Sequence, residues 1–364
     1  MLKNILLAIS IFFISHNTDA QPLSVYTDVQ NQIMVWDNGV IRKADYLLPI
    51  EIKVGRIAIP YIDNSNNFKV YYRGGVRKLN AGFTNQFQSS DCLIPFVNAT
   101  SLNVFDRGEV KNLSRMCTNY FAGDSLIVYL DGRTQQFNAY YNGEIIAMEP
   151  FLAAANNGVS DVALKSNIAA YVNYANQFHI FFHGAVINQE AYPVSSFKAG
   201  RNTVAYVDAN NQFKVFNDGN TQVLESFPPQ SFEVGCDMVA YVTVDGNFNI
   251  FHKGKVYKMG FFKPNYQVSD FVCLYQDPSG YSKVFQEGIS TTLEPYMPDK
   301  FKAHYNSVAY FDRNNVLKLY SNGVVNEVTS AITPGENNWS LNYDVIMYQI
   351  GNNFFKFYYQ GTEY

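Results

Sequence analysis

A chain of 364 residues with a net charge of −4 and no basic run has nothing to neutralise a phosphate backbone, which excludes nucleic acid as a main partner. Charged residues are only 16% of the chain while apolar residues are 47% and aromatics 16%, so surface polarity falls to Asn, Gln, Ser and Tyr, and sheets covered on both faces are expected. Beyond the N-terminal leader no stretch is long and apolar enough to cross a bilayer, so no membrane insertion is expected of the mature chain.

In chain order, Met1 and Lys3 form a short basic start, and Ile5 to Ile14 is apolar apart from Ser10. Thr18-Asp19-Ala20 then places small residues at the cleavage-setting positions. Residues 1–20 therefore read as a secretory signal peptide, which sends the mature chain to the periplasm or the medium. Residues 21–364 read as one repeat domain, because a closed repeat architecture reaches this length without splitting.

A glycine recurs at Gly39, Gly75, Gly108, Gly143, Gly184, Gly219, Gly254, Gly288, Gly323 and Gly361, a period of about 35 residues. In the clearest unit, Arg201 to Gly235, two runs rich in Val, Tyr and Phe (204–207 and 213–216) precede it. Asp208-Ala209-Asn210-Asn211 separates them, a hairpin turn by composition. The glycine closes a second hairpin, often as Asn-Gly or Asp-Gly, the pairs that suit a two-residue primed turn. A third run, a proline-marked loop and a fourth run at Ser231 to Val234 follow. Each unit is thus an antiparallel meander of about four strands, too small to stand alone in water. Both faces of the 213–216 run carry apolar bulk, as in a blade sandwiched between two neighbours.

The order in SFKAGRNTVAYVDANNQFKVFNDGNTQVL resembles the blade repeats of TolB-like (WD40-like) β-propellers. The resemblance covers the mature chain and implies a fold, not a function. Those repeats carry a proline-aspartate-glycine turn where this chain has Ala199-Gly200-Arg201-Asn202, and WD40 signatures are absent apart from the single pair Trp36-Asp37. An all-β propeller of roughly ten four-stranded blades is expected, with two smaller propellers or an open stack as alternatives. The widest spacing, between Gly143 and Gly184, is the place to look for a boundary.

No residue pattern carries a catalytic signature, and neither a cofactor nor a metal is expected. The acids that end the first run, among them Asp28, Asp63, Asp131, Asp208, Asp277 and Asp312, could be calcium ligands, but one carboxylate per loop suits a turn better. His179 and His183, four apart, read as a solvated strand face. Asp161, Glu190, Glu225, Glu233, Asp237 and Asp270 are scattered acids that a glycan-cleaving propeller would have to gather at its channel. Four cysteines allow three pairings, of which Cys92 with Cys117 and Cys236 with Cys273 is the least demanding; free buried thiols are the alternative. Two departures from the repeat, 153–167 and 332–342, are candidate binding loops, and Trp339 in the second is the candidate ligand-binding residue, with packing near ring closure as the other reading. The function expected is a secreted, non-catalytic binding or scaffold propeller for a protein or glycan partner. A polysaccharide hydrolase or lyase and a structural envelope component are the alternatives.

Overall fold

A computed structural model of the chain describes residues 22–80, 83–150, 162–335, 338–351 and 354–364; the leader reading for 1–20, Asp161 and most of the 153–167 insertion lie outside them. Among the described residues the strands form ten antiparallel sheets, nine of four strands and one of three, each a plain meander. They are the ten blades of one β-propeller: 23–45, 51–80, 84–114, 117–149, 162–190, 196–225, 231–261, 266–294, 301–329 and 339–363.

Blade 6 shows why the sequence folds this way. Its strands are Ser196–Ala199, Thr203–Val207, Phe213–Asn217 and Asn220–Glu225. The two central strands are rich in β-branched and aromatic residues and are buried on both faces, so apolar bulk on each side meets a neighbouring blade. Val204 and Tyr206 pack towards blade 5 with Phe178 and Ile180, while Ala205 and Val215 pack towards blade 7 with Val239 and Tyr241. The first strands of neighbouring blades approach one another and line the axis; the fourth strands are largely exposed and form the rim.

The sheet is offset by one strand from the sequence unit. The run at 231–234 pairs with the run that follows it, Ser231 opposite Val242, so it is the inner strand of blade 7 and not the last strand of blade 6. The tight turn at 235–237 makes that pairing local, whereas the proline-marked loop before it only carries the chain from rim to axis. The period glycine of blade 2 is Gly74, with φ of 79°, and not Gly75, which opens the outer strand.

The ring closes face to face. Three strands of blade 1 are described, and its Trp36 stacks on Phe357 of blade 10 at 5.7 Å and meets Tyr359 and Tyr364 edge-on. That seam excludes the open stack. Two separate propellers are excluded by the core that joins blades 4 and 5 through Leu126, Val128, Ala169 and Phe181, across the widest glycine spacing.

Candidate functional site

In a four-stranded meander the turn between the first and second strands and the turn between the third and fourth fall on the same face. The inner turns surround the axis there, and the outer hairpin turns surround the inner ones. The second residue of the inner turn is Arg56, Asp91, Asp124, Ser166, Arg201, Cys236, Asp270, Tyr305 and Tyr343 in blades 2 to 10. One repeat position therefore delivers arginines, acids and tyrosines to a single place.

Seven of these side chains interlock across the axis. Arg201 reaches Asp124 at 3.0 Å, Asp91 at 3.4 Å and, through Nε, the Ser166 hydroxyl at 2.8 Å. The Tyr343 hydroxyl donates to Asp91, joining blade 10 to blade 3. Arg56 donates to the Tyr305 hydroxyl at 3.0 Å and lies over the ring, joining blade 2 to blade 9. Burial first, and the Asp124 carboxylate next, push Asp91 up to about 6 against the pull of Tyr343, Arg201 and Arg56. The same acids raise Arg201 further above its ordinary value. Asp270 belongs to the far side of this ring of turns and pairs with Lys165 at 3.1 Å.

Space at the axis is the reason for glycine in these turns. A Cβ on Gly200 would sit 1.9 Å from the Gly235 carbonyl oxygen, so the inner turns of blades 6 and 7 approach as closely as they do only without side chains.

Beside the interlocked groups a cleft of about 550 Å³ opens on blades 2 to 6, within the usual range for a small-molecule site. Arg56, Arg73, Arg107 and Arg201 line it, four of the nine arginines in the chain. Asp91, Asp106, Asp124, Ser125, Asn142 and Asn167 supply the polar walls, and Tyr72 and Tyr140 its aromatic ones. Among the described ion pairs Arg56 and Arg73 have none, and Arg107 has only Asp106 at 3.8 Å, with its own side chain 79% exposed. A second groove of about 490 Å³ between blades 6 and 7 has fewer charges: Asp237 accepts from Asn217, and Lys253 is paired with Glu287.

The residues singled out in the sequence go elsewhere. Trp339 does not stand exposed on a loop: it opens the inner strand of blade 10, is 5% exposed, packs edge-on against Phe311 at 5.6 Å and carries the Lys302 ammonium over its ring at 4.2 Å. It stands opposite Tyr348 as Phe197, Phe232 and Phe301 stand opposite Tyr206, Tyr241 and Tyr310, so it holds a regular aromatic position and leaves no open ring face for stacking. His179 and His183 do not share a solvated face. His179 is buried with Nδ1 2.7 Å from Glu149, and His183 lies in the outer turn at φ of 49°, stacked on Phe182.

Most of the scattered acids are staples between blades. Glu190 accepts from Tyr206 at 2.8 Å and pairs with Lys214 at 2.9 Å; Asp45 does the same for Tyr61 and Lys69, and Glu294 for Tyr310 and Lys318. Glu225 holds Tyr241 and Asn249, and Glu233 pairs with Lys198 on the surface. The turn acids cap their own loops: Asp208 Oδ1 accepts from the amides of Asn210 and Gln212 while Oδ2 meets Lys214. All four thiols are free, so the suggested disulfides are not made; Cys273 is fully buried between blades 7 and 8, and Cys92 lines the arginine cleft at the opposite end of the strands from Cys117.

Ten antiparallel blades closed into one ring around a polar axis define a ten-bladed β-propeller. The chain belongs to the family described as the 10-bladed beta propeller domain, whose pattern matches residues 17–364. No curated protein sequence matches it. Among solved structures it is similar to the computationally designed Ika8 protein, with 13% identity, 76% of this chain and 96% of that one covered and a TM-score of 0.34. Hsv2p of Kluyveromyces lactis is similar at 13% identity, with 68% and 97% covered and a TM-score of 0.33. The CRINKLY WD40 ectodomain of the Arabidopsis thaliana receptor kinase ACR4 follows at 8% identity, with 65% and 92% covered and a TM-score of 0.35.

Proposed function

We propose that the mature chain is a non-catalytic binding propeller that works outside the cytoplasm and holds a protein or glycan partner in the arginine-lined cleft. The observation that carries this reading is the gathering of four of nine arginines, from blades 2, 3 and 6, around one opening. Rigid blades hold such groups at fixed separations, which is what a recognition site needs. The leader-like residues 1–20 support export. Against catalysis stands the state of the two axial acids: Arg201 and Tyr343 already engage Asp91, and Arg201 engages Asp124, so both serve the ring.

One observation favours a second reading as a glycan hydrolase or lyase. Asp91, held near 6 beside a second carboxylate, is placed where a general acid titrates. A screen of the secreted chain against a glycan panel and envelope extract, with product analysis on every glycan, separates the two. Retention of a partner without cleavage, lost when the cleft arginines are replaced, is the expected result. Cleavage that disappears in Asp91→Asn would replace the binding reading with the enzymatic one.

A further inference from the structure

We infer that the arginine cleft takes an acidic saccharide, a hexuronate-type sugar bearing one carboxylate per ring. This rests on the binding reading above and adds the chemical class of the ligand.

The outer turns supply the first argument. Their first central residue has positive φ in every blade, a conformation that Asn tolerates best, and blades 1, 4 and 9 place Asn38, Asn142 and Asn322 there. Blades 2 and 3 instead place Arg73 and Arg107 at φ of 49° and 50°. Both of these arginines line the cleft. Blades 5, 7, 8 and 10 also depart from Asn or Asp here, with His183, Lys253, Glu287 and Gln360; what sets blades 2 and 3 apart is that both neighbours carry a guanidinium beside the same opening, which suits an anion.

The second argument is the mixture of charges. Planar guanidinium groups suit a carboxylate through paired N–H donors. The same walls hold Asp106 and Asp124 with Ser125, Asn142 and Asn167. Those acids would repel a polyacidic peptide, while Ser125 and Asn142 offer hydrogen bonds to hydroxyl groups. A ligand that is at once anionic and rich in hydroxyls satisfies both sets, and an acidic sugar is such a ligand. The lining is also too polar for an apolar guest, since burying its acids without donors is costly.

The test uses the chain secreted with its own leader, and the double variant Arg73→Asn with Arg107→Asn. Asn is the native choice at this turn position in three other blades, so the variant keeps the fold, which thermal melting verifies. Titration calorimetry is run with galacturonate, glucuronate and mannuronate trimers, with their neutral methyl esters, and with a tetraglutamate peptide. At least one uronate trimer should bind, with at least tenfold weaker binding of its ester and of the double variant, and with tetraglutamate silent. Equal binding of ester and acid, tighter binding of tetraglutamate, or no uronate binding at all each overturn the acidic-sugar assignment. The binding reading is judged separately, on the partner retained in the glycan and envelope screen. If the double variant loses that partner while no uronate binds, the cleft remains the site and only the ligand class falls. If the partner binds the variant unchanged, the cleft itself is wrong.

Discussion

The inner and outer turns share one face of the ring, and both contain glycine, yet for opposite reasons. At the outer turn Gly219 has φ of 85° and nothing lies within 4 Å of where a Cβ would stand, so it answers a demand of the backbone. At the inner turn Gly200 needs no special φ, but the neighbouring carbonyl is 1.9 Å from where its Cβ would lie, so it answers a demand of packing. The outer turns repeat because each must reverse two strands by itself. The inner turns diverge because each meets different neighbours across the axis, and the variety at their second residue turns a structural position into a chemical one.

The sharpest way to break this contrast is Gly200→Ala. Its methyl collides with rigid backbone of the next blade, so unfolding by denaturant should reveal a loss of about 3 kcal/mol or more. A loss equal to that of an outer glycine would mean that the inner ring yields to a side chain. Arg201→Ala comes next. It leaves Asp91 and Asp124 facing each other with less positive charge, and since Arg201 keeps 27% side-chain exposure a cost of about 2 kcal/mol is expected, below that of a fully buried pair. Restoring neutrality with Asp124→Asn in the same chain should recover part of it, which a double-mutant cycle measures.

Gly219→Ala should cost about 1 kcal/mol, the strain of a left-handed residue with no clash. Gly219→Asn, which restores a tolerant residue, should cost less, and the pair of melting curves decides it.

The smallest effect is a slope. Asp91 titrates in the fold near 6, above its ordinary value of 3.8, so its contribution to stability is complete below about pH 4 and is lost as the pH rises through 6. Asp91→Asn removes that dependence. The stability of the wild type relative to the variant should therefore fall from pH 4.5 to pH 7.5, by an amount on the order of 1 kcal/mol, which paired melting curves measure. A constant difference would show that Asp91 is not held high.

Part of the site is legible in the sequence. The staples repeat with fixed offsets: an acid, a tyrosine 16 residues on and a lysine 24 residues on, as in Glu190, Tyr206 and Lys214 or Glu294, Tyr310 and Lys318. Aligning repeats on the tyrosine assigns Glu190 to structure. Glu149 breaks the rule at 22 and 30 residues because the widest glycine spacing, between Gly143 and Gly184, adds residues between it and its partners Tyr171 and His179. The same alignment places Trp339 opposite Tyr348 and identifies it as packing. Arg201 with Asp91 cannot be found this way: both stand at the second position of an inner turn, three blades apart, and the period does not say which of the nine turns meet across the axis.

The sequence by itself determined the four-stranded meander and the number of repeats, because alternation, hairpin turns and a 35-residue period are local and are written ten times over. Only the tertiary structure decided how the ring closes and what stands at its centre. Trp36 finds Phe357, Asp91 finds Arg201 and Tyr343, and four arginines find one opening because closure brings together turns from distant blades. Local propensity says nothing about such neighbours, and the chemistry of the molecule resides in them.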